Sequence, residues 1–342
     1  MRVAMYYNNS DIRLEEVPTP KIGPGELLIR IEASGICGSD VMEWYRIKKA
    51  PLVLGHEIAG QVVEVGQGIH RYKKQDRIVA SHHVPCNACQ YCLKGHHTMC
   101  DTLRQTNFDP GGFAEFVRLP AINVDRGVYP IPPSVSWEEA SLTEPLACVL
   151  RAQRMAGLAT GDTVAVIGSG IAGLLHIQLA CAMGAVRIFA IDIAEERLAA
   201  ADKLGADMAI NAKEDIVSKI RRENDGELPD KVLVCTGARS AILQALDLVK
   251  RGGTVLFFAP TEPGVTIPLS INELFFGNDV TLTTSYAASP ADHVTALELI
   301  RTRRVRVGEM ISHRLPLAKI KEGFRLVADA KDSLKVIIEP QR

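Results

Sequence analysis

Residues 163–192, TVAVIGSGIAGLLHIQLACAMGAVRIFAID, restrict the fold more than any other stretch of the chain. A short β-branched apolar run, Thr163 to Ile167, leads at once into Gly168-Ser169-Gly170-Ile171-Ala172-Gly173. A second apolar run, Val186 to Ile191, ends in Asp192, 19 residues past Gly173. The order reads as strand, tight glycine turn, helix, strand. Gly168 permits the turn, Gly170 lets the backbone approach a pyrophosphate, and Gly173 lets the helix pack closely on the strand. Phosphates placed there meet unpaired N–H groups at the positive end of a helix. Asp192 can accept hydrogen bonds from both hydroxyls of a ribose, and its charge repels a 2′-phosphate, which predicts NAD rather than NADP. Arg197, five residues further on, lies near the adenosine or is a plain surface arginine.

Val164 to Val186 is long and apolar enough to compete as a membrane span. Gly168, Ser169, Gly170 and Gly173 interrupt it, His176 and Gln178 sit inside it, and further strand-like runs follow. No membrane partner is therefore expected. Beyond Asp192 the alternation continues with helix Ala194–Leu204, strand Met208–Ile210, helix Glu214–Arg222, strand Lys231–Cys235, helix Ser240–Lys250 and strands Thr254–Ala259 and Val280–Ser285. Continuous apolar strands separated by helices predict an α/β fold with a parallel sheet buried on both faces. Cys148, Cys181 and Cys235 read as small buried hydrophobes.

The first 150 residues differ in kind. Strand-like runs at Arg2–Tyr7, Glu26–Ala33, Glu57–Val65, Arg77–Ala80 and Phe113–Leu119 are separated by breakers such as Gly23-Pro24-Gly25 and Gly66-Gln67-Gly68. Short strands and tight turns predict an antiparallel, barrel-like unit carrying the substrate chemistry. Ser136 and Glu139 are spaced as a capping box for a helix that links the two domains, and Pro145 suits the first turn of the next helix, leaving Glu144 at its entrance. At 342 residues the chain suits two domains. A net charge of −1 supplies no basic field for nucleic acid. Asn8, Asn9, Ser10 and Asp11 interrupt the N-terminus before any apolar core, so no signal peptide is expected and a cytoplasmic setting is.

Two sets of metal ligands stand out. Cys86, Cys89, Cys92 and Cys100 place four thiols within fifteen residues, a spacing that predicts a closed tetrahedral zinc site stapling a loop. His82, His83, His96 and His97 flank this loop and read as surface residues. Cys37, His56, Glu57 and Glu144 form a mixed thiolate, imidazole and carboxylate set suited to zinc with an exchangeable position. Asp40 is placed to hold the imidazole of His56 and fix its tautomer.

With these motifs together, the chain resembles the zinc-dependent medium-chain dehydrogenases, the group of alcohol, sorbitol and threonine dehydrogenases. The resemblance rests on GICGSD at 35–40, GHE at 55–57, the four-cysteine lobe, GGFAEF at 111–116, EPLA at 144–147 and the glycine turn. It implies a GroES-like catalytic domain over 1–150, an NAD-binding Rossmann domain over 151–286, and a C-terminal return to the first domain over 287–342. It also implies a catalytic zinc in the cleft between the domains, held by Cys37, His56, Glu57 and Glu144, with one carboxylate bound through water or exchanging with it. A second, structural zinc and a homo-oligomer, a tetramer by family habit, are implied as well. Glutamate at 144, where the alcohol dehydrogenase branch carries cysteine, places the chain nearer the sorbitol and threonine branches.

The implied reaction oxidises a small secondary alcohol (a polyol, sugar, cyclitol or hydroxy-amino acid) and transfers a hydride to NAD. Ser39 is placed by the family pattern to pass the hydroxyl proton onward, while the histidine that completes that relay elsewhere in the family falls near Met42. Trp44 and Tyr45 line the pocket or simply bury hydrophobic surface. Thr284-Ser285 stands where sorbitol-type enzymes carry Phe-Arg, a departure that argues against sorbitol itself. Two alternatives stay open: a reductase of aldehydes or ketones on the same scaffold, and a non-catalytic dinucleotide-binding protein.

Overall fold

The computed structural model describes residues 1–342. Its strands in chain order are β1 (Arg2–Asn8), β2 (Asp11–Glu16), β3 (Leu27–Gly35), β4 (Leu52–Val53), β5 (Glu57–Val65), β6 (Arg77–Ala80), β7 (Phe116–Leu119) and β8 (Val128–Pro130), followed by β9 (Thr163–Ile167), β10 (Arg187–Asp192), β11 (Met208–Asn211), β12 (Lys231–Val234), β13 (Thr254–Phe257), β14 (Thr281–Thr284), β15 (Ile311–Pro316) and β16 (Lys335–Glu339). The chain divides into two compact units. Met1–Ala147, Ala287–Arg303 and Val307–Arg342 form the first, and Cys148–Tyr286 with Arg304–Arg306 form the second.

The first unit is built on a sheet in the order β15-β16-β3-β5-β6-β8, with β7 also pairing β3, and a small sheet β2-β1-β4. All pairs are antiparallel except β15 with β16. Ile29, Ile31, Ile58, Ile78, Val117 and Ile338 alternate inward to form its core. The expected strand Phe113–Leu119 begins only at Phe116. Its first residues bond to separate partners instead: Phe113 N–H donates to the Leu54 carbonyl, and the Phe113 carbonyl accepts from Ala4 N–H, each at 2.9 Å. The Ser136 capping box forms as its spacing predicts, opening the helix Trp137–Ser141.

The second unit is a six-stranded parallel sheet in the order β11-β10-β9-β12-β13-β14. The chain reverses its direction of travel between β9 and β12, so the crevice beyond their carboxyl ends is the place where an open α/β sheet binds ligands. The α/β expectation and its parallel sheet therefore hold. Helix ends move by a residue or two. Asp215, at the start of the expected helix Glu214–Arg222, is instead its cap, accepting from Ser218 N–H at 3.1 Å, and the helix runs Ile216–Glu223. Cys181 is a correction: it is exposed near the end of the helix Ile171–Ala182.

Gly168 sits at φ +95°, left-handed backbone that suits glycine alone among common residues. A Cβ on Gly173 would overlap the Gly168 carbonyl oxygen. Helix propensity alone favours Gly173→Ala by about 1 kcal/mol. Steric overlap with backbone reverses that sign, so the variant should melt at lower temperature than the parent and bind dinucleotide more weakly. A melting temperature at or above that of the parent would refute the close approach.

Candidate active site

In the first unit, β3 and β5 run antiparallel with Gly35 opposite Glu57, and β16 places Ile337 on the other side of Gly35. This register gathers residues far apart in the chain. Ligand atoms of Cys37, His56 and Glu57 lie within 4.8 Å of one another. Glu144 is buried in the first turn of the helix Thr143–Met155 and is not one of that trio.

Cys37 caps a short turn, Gly38–Asp40. Its N–H donates to Asp40 Oδ2 at 3.0 Å, and its sulfur accepts from Ser39 N–H at 3.5 Å and Ser39 Oγ at 3.4 Å. The fully buried Asp40 also faces His56, with Oδ1 3.4 Å from Nδ1. Arg46 closes the network, donating Nε to the Ser39 carbonyl and Nη2 to Ser39 Oγ, both at 2.9 Å, and Nη2 to Asp40 Oδ1 at 3.3 Å. Burial works to raise the Asp40 carboxyl, but His56, Arg46 and the Cys37 N–H outweigh it and hold it below the usual carboxylate range. Burial likewise opposes charge on His56, and the attraction of Asp40 overrides it and lifts its proton affinity well above normal. With Nδ1–H held toward Asp40, Nε2 is the ring nitrogen that can ligate a metal once it has given up its own proton.

Glu57 and Lys335 are both only 1 % exposed and form an ion pair, while Lys335 Nζ also donates to the Ile36 carbonyl at 3.0 Å. A Cβ on Gly35 would overlap Glu57 Oε2, so the glycine of GICGSD makes room for this pair. Lys335 is missing from the sequence reading, in which residues 287–342 are only a C-terminal return to the first domain. Its one signal was a lysine opening an apolar run, KVIIE, in a position that a buried strand rarely gives to a charge.

The four-cysteine lobe closes on itself. Cys89 and Cys92 sulfurs are 3.6 Å apart, Cys86 and Cys92 3.9 Å, and all four ligand atoms lie within 4.8 Å. Tetrahedral zinc–thiolate bonds of about 2.3 Å require sulfurs roughly 3.8 Å apart, so the donors fit zinc. Burial alone would raise Cys100, but N–H groups of Cys86 and Leu103 bring it down to about 6, poised as thiolate. Cys92, raised first by burial and then by its bonds to Cys89 and Cys100, stands at about 12.

The flanking histidines need correction. His96 is exposed and His97 half-buried, but His82 and His83 are also half-buried. The His82 ring lies 4.9 Å from that of His56 and 3.8 Å from that of His83. Burial, followed by the neighbouring imidazoles of His83 and His56, holds His82 well below a histidine's ordinary value, and burial brings His83 down to about 4. Trp44 is half-buried and Tyr45 exposed, with the Arg46 guanidinium 4.7 Å over the Tyr45 ring.

In the second unit, Gly170 precedes the helix Ile171–Ala182, whose first two residues are Ile171 and Ala172. Asp192 is buried at the end of β10. Its Oδ2 accepts from Ser169 N–H at 2.7 Å, and its Oδ1 accepts from Ile193 N–H at 2.8 Å and Ala194 N–H at 3.0 Å. Arg197 Nη1 is 4.0 Å from Asp192 Oδ2 and would lie 3.8 Å from a Cβ on Gly170, so this arginine borders the glycine turn. Ser285 Oγ accepts from Arg151 at 2.8 Å, and Thr284 Oγ1 donates to the Phe257 carbonyl at 3.0 Å.

Removing one member of a buried ion pair leaves an uncompensated charge and costs roughly 3–5 kcal/mol. Lys335→Met should therefore lower the melting temperature sharply, and adding Glu57→Gln should recover part of the loss. A single variant that melts with the parent would show that the pair carries no such load.

Residues 23–133 match the family model for the alcohol dehydrogenase GroES-like domain, and residues 172–302 match that for the zinc-binding dehydrogenase. The L-threonine 3-dehydrogenase of Bacillus velezensis is 35% identical over 96% of this chain and 95% of its own length. The sorbitol dehydrogenase of Gallus gallus is 32% identical over 92% and 89%. Among solved structures, alcohol dehydrogenase TADH from Thermus sp. ATN1 superposes with a TM-score of 0.86 at 33% identity, covering 99% of both chains. These matches span both units, and the chain belongs to the zinc-dependent medium-chain dehydrogenases, in their sorbitol and threonine dehydrogenase branch.

Proposed function

We propose that this chain oxidises a secondary alcohol (a polyol, sugar, cyclitol or hydroxy-amino acid) with NAD as hydride acceptor and zinc at Cys37, His56 and a carboxylate, Glu57 or Glu144. The observation that carries the reading is the Cys37–His56–Asp40–Arg46 network in a chain whose other unit ends a glycine turn and strand in a buried, anchored aspartate. Residues 1–150 and 287–342 act as the catalytic domain and 151–286 as the dinucleotide domain. Zinc, when bound, supplies a Lewis acid that eases ionisation of an alcohol oxygen, and NAD supplies the hydride acceptor.

The protein's own groups do the rest. Asp40 keeps the proton on His56 Nδ1, and Arg46 keeps Asp40 ionised and Ser39 in place. Ser39 Oγ accepts from Arg46, which makes its own proton easier to give up, and it takes up the substrate's hydroxyl proton while passing its own to water, the cofactor ribose or Glu144. Lys335 holds Glu57 beside Cys37 and His56, leaving Glu57 or Glu144 to complete the ligand set directly or through water. Gly168, Gly170, Ile171, Ala172 and Gly173 seat the pyrophosphate, while Asp192, with Arg197 at its side, selects NAD over NADP by repelling a 2′-phosphate. Cys86, Cys89, Cys92 and Cys100 hold a second zinc that staples their loop.

A homo-oligomer, a tetramer by preference, fits the second unit. Its end strand β14 leaves one edge unpaired, and Phe276 nearby in the chain is 82% exposed. No helix is long and apolar enough to cross a membrane, and a cytoplasmic location stays part of this reading.

Purified protein should form NADH with at least one member of a panel of polyols, cyclitols, sugars, threonine and simple secondary alcohols. Cys37→Ser should abolish that activity and lower bound zinc from two per chain to one. Ser39→Ala should reduce turnover by roughly 10²–10⁴-fold with zinc content unchanged. Silence across the panel, with zinc and NAD both bound, would remove the proposed substrate range.

A further inference from the structure

The His82 ring packs against His56 and takes no part in the Cys37–His56–Asp40–Arg46 network. Its Nδ1 is buried and has no hydrogen-bond partner. The ring is nevertheless held firmly in place. It lies 4.9 Å from His56, 3.8 Å from His83 and 6.1 Å from Phe108. Its backbone is pinned as well, because the fully buried Asn123 donates Nδ2 to the carbonyls of Ser81 at 2.9 Å and His82 at 3.0 Å. The next two residues are tied down by the His83 Nδ1–Leu103 carbonyl contact and by a Val84 N–H to Thr106 Oγ1 bond of 2.9 Å. An unsatisfied polar ring fixed this way departs from the rule that enclosed polar groups find partners.

We infer that His82 reads a second hydroxyl on the substrate, on the carbon next to the one oxidised, so that the enzyme prefers vicinal diols and polyols to simple secondary alcohols and to hydroxy-amino acids. The inference rests on the reading of the Cys37–His56 site as an alcohol-oxidising site. An alcohol oxygen held against Cys37 and His56 brings its neighbouring carbon toward the ring packed on His56. An imidazole can donate from one nitrogen or accept at the other, which matches a hydroxyl. It offers no anion to an ammonium group. Asp40 is already engaged by His56 and Arg46, and Glu57 by Lys335. A site that hydrogen-bonds a substrate hydroxyl discriminates strongly against the analogue lacking it, since its polar group is then left unpaired.

The test uses the zinc-loaded holoenzyme with NAD and a matched pair, cis-cyclohexane-1,2-diol and cyclohexanol, with threonine as a third arm. The wild type should favour the diol in kcat/KM by roughly 10–100-fold. His82→Phe keeps an aromatic ring and should collapse that ratio while changing cyclohexanol by less than about 3-fold, and His82→Asn should restore part of it. Zinc content and melting temperature of both variants should match the wild type. Equal loss on diol and cyclohexanol would assign His82 a structural role and overturn the inference, as would an unchanged ratio or a wild type that prefers threonine. In those cases the dehydrogenase reading stands. A wild type that oxidises no alcohol at all removes that reading, and this inference with it.

Discussion

Burying Glu57 and Lys335 together fixes the geometry on which the catalytic unit depends. Each charge alone would cost several kcal/mol to desolvate, so neither residue can occupy its place without the other. Satisfying both requires β3 to pass between β5 and β16 with a residue at 35 that has no side chain. That requirement sets Cys37 two residues beyond Gly35 and His56 one residue before Glu57, which is how the thiol and the imidazole come to share a site. A pair of apolar residues could fill the same volume at no loss of stability. The ion pair instead holds a carboxylate in reach of the two metal-binding side chains, and it ties the last strand of the chain to the first catalytic motif.

The two cysteine-bearing sites solve opposite problems with similar atoms. In the lobe, four thiols from one short segment complete their own tetrahedron, and backbone N–H groups on the sulfurs of Cys86 and Cys100 favour the thiolate. Such a site has no reason to open. At Cys37 and His56 the neighbouring groups are charged pairs drawn from separate elements, Asp40 with Arg46 and Glu57 with Lys335. These pairs fix the thiol and the imidazole from outside, which under the proposed reading would leave room at a bound metal for substrate to replace water.

What the sequence revealed follows how local each feature is. The glycine turn, Asp192, the four-cysteine lobe and the Ser136 cap are short segments whose spacing alone determines their geometry, and they form as that spacing predicts. Asp40 was legible because its target, His56, belongs to a motif in plain view. Lys335 was not, since its partner lies 278 residues earlier (335 − 57) and only strand register brings them together. His82 and His83 were misplaced at the surface because histidines beside a polar, cysteine-rich lobe carry no periodicity. Their burial comes from Leu103, Phe108 and Asn123, which follow them in the chain by twenty to forty residues. Cys181 differs the other way, an apolar residue type that is exposed near a helix end.

Charge balance explains why selectivity must come from outside the ligand set. Asp40 is offset by Arg46, and Glu57 by Lys335, so the inner network contributes almost no net field. A divalent cation on the Cys37 thiolate would then leave the site with a positive charge facing the alcohol oxygen. That charge stabilises any alkoxide to a similar degree, whatever is attached to its carbon. Discrimination among alcohols therefore falls to groups that touch the rest of the molecule, which have to be uncharged so as not to disturb that field. His82 meets both conditions, lying against His56 with a ring that burial and its neighbours keep neutral.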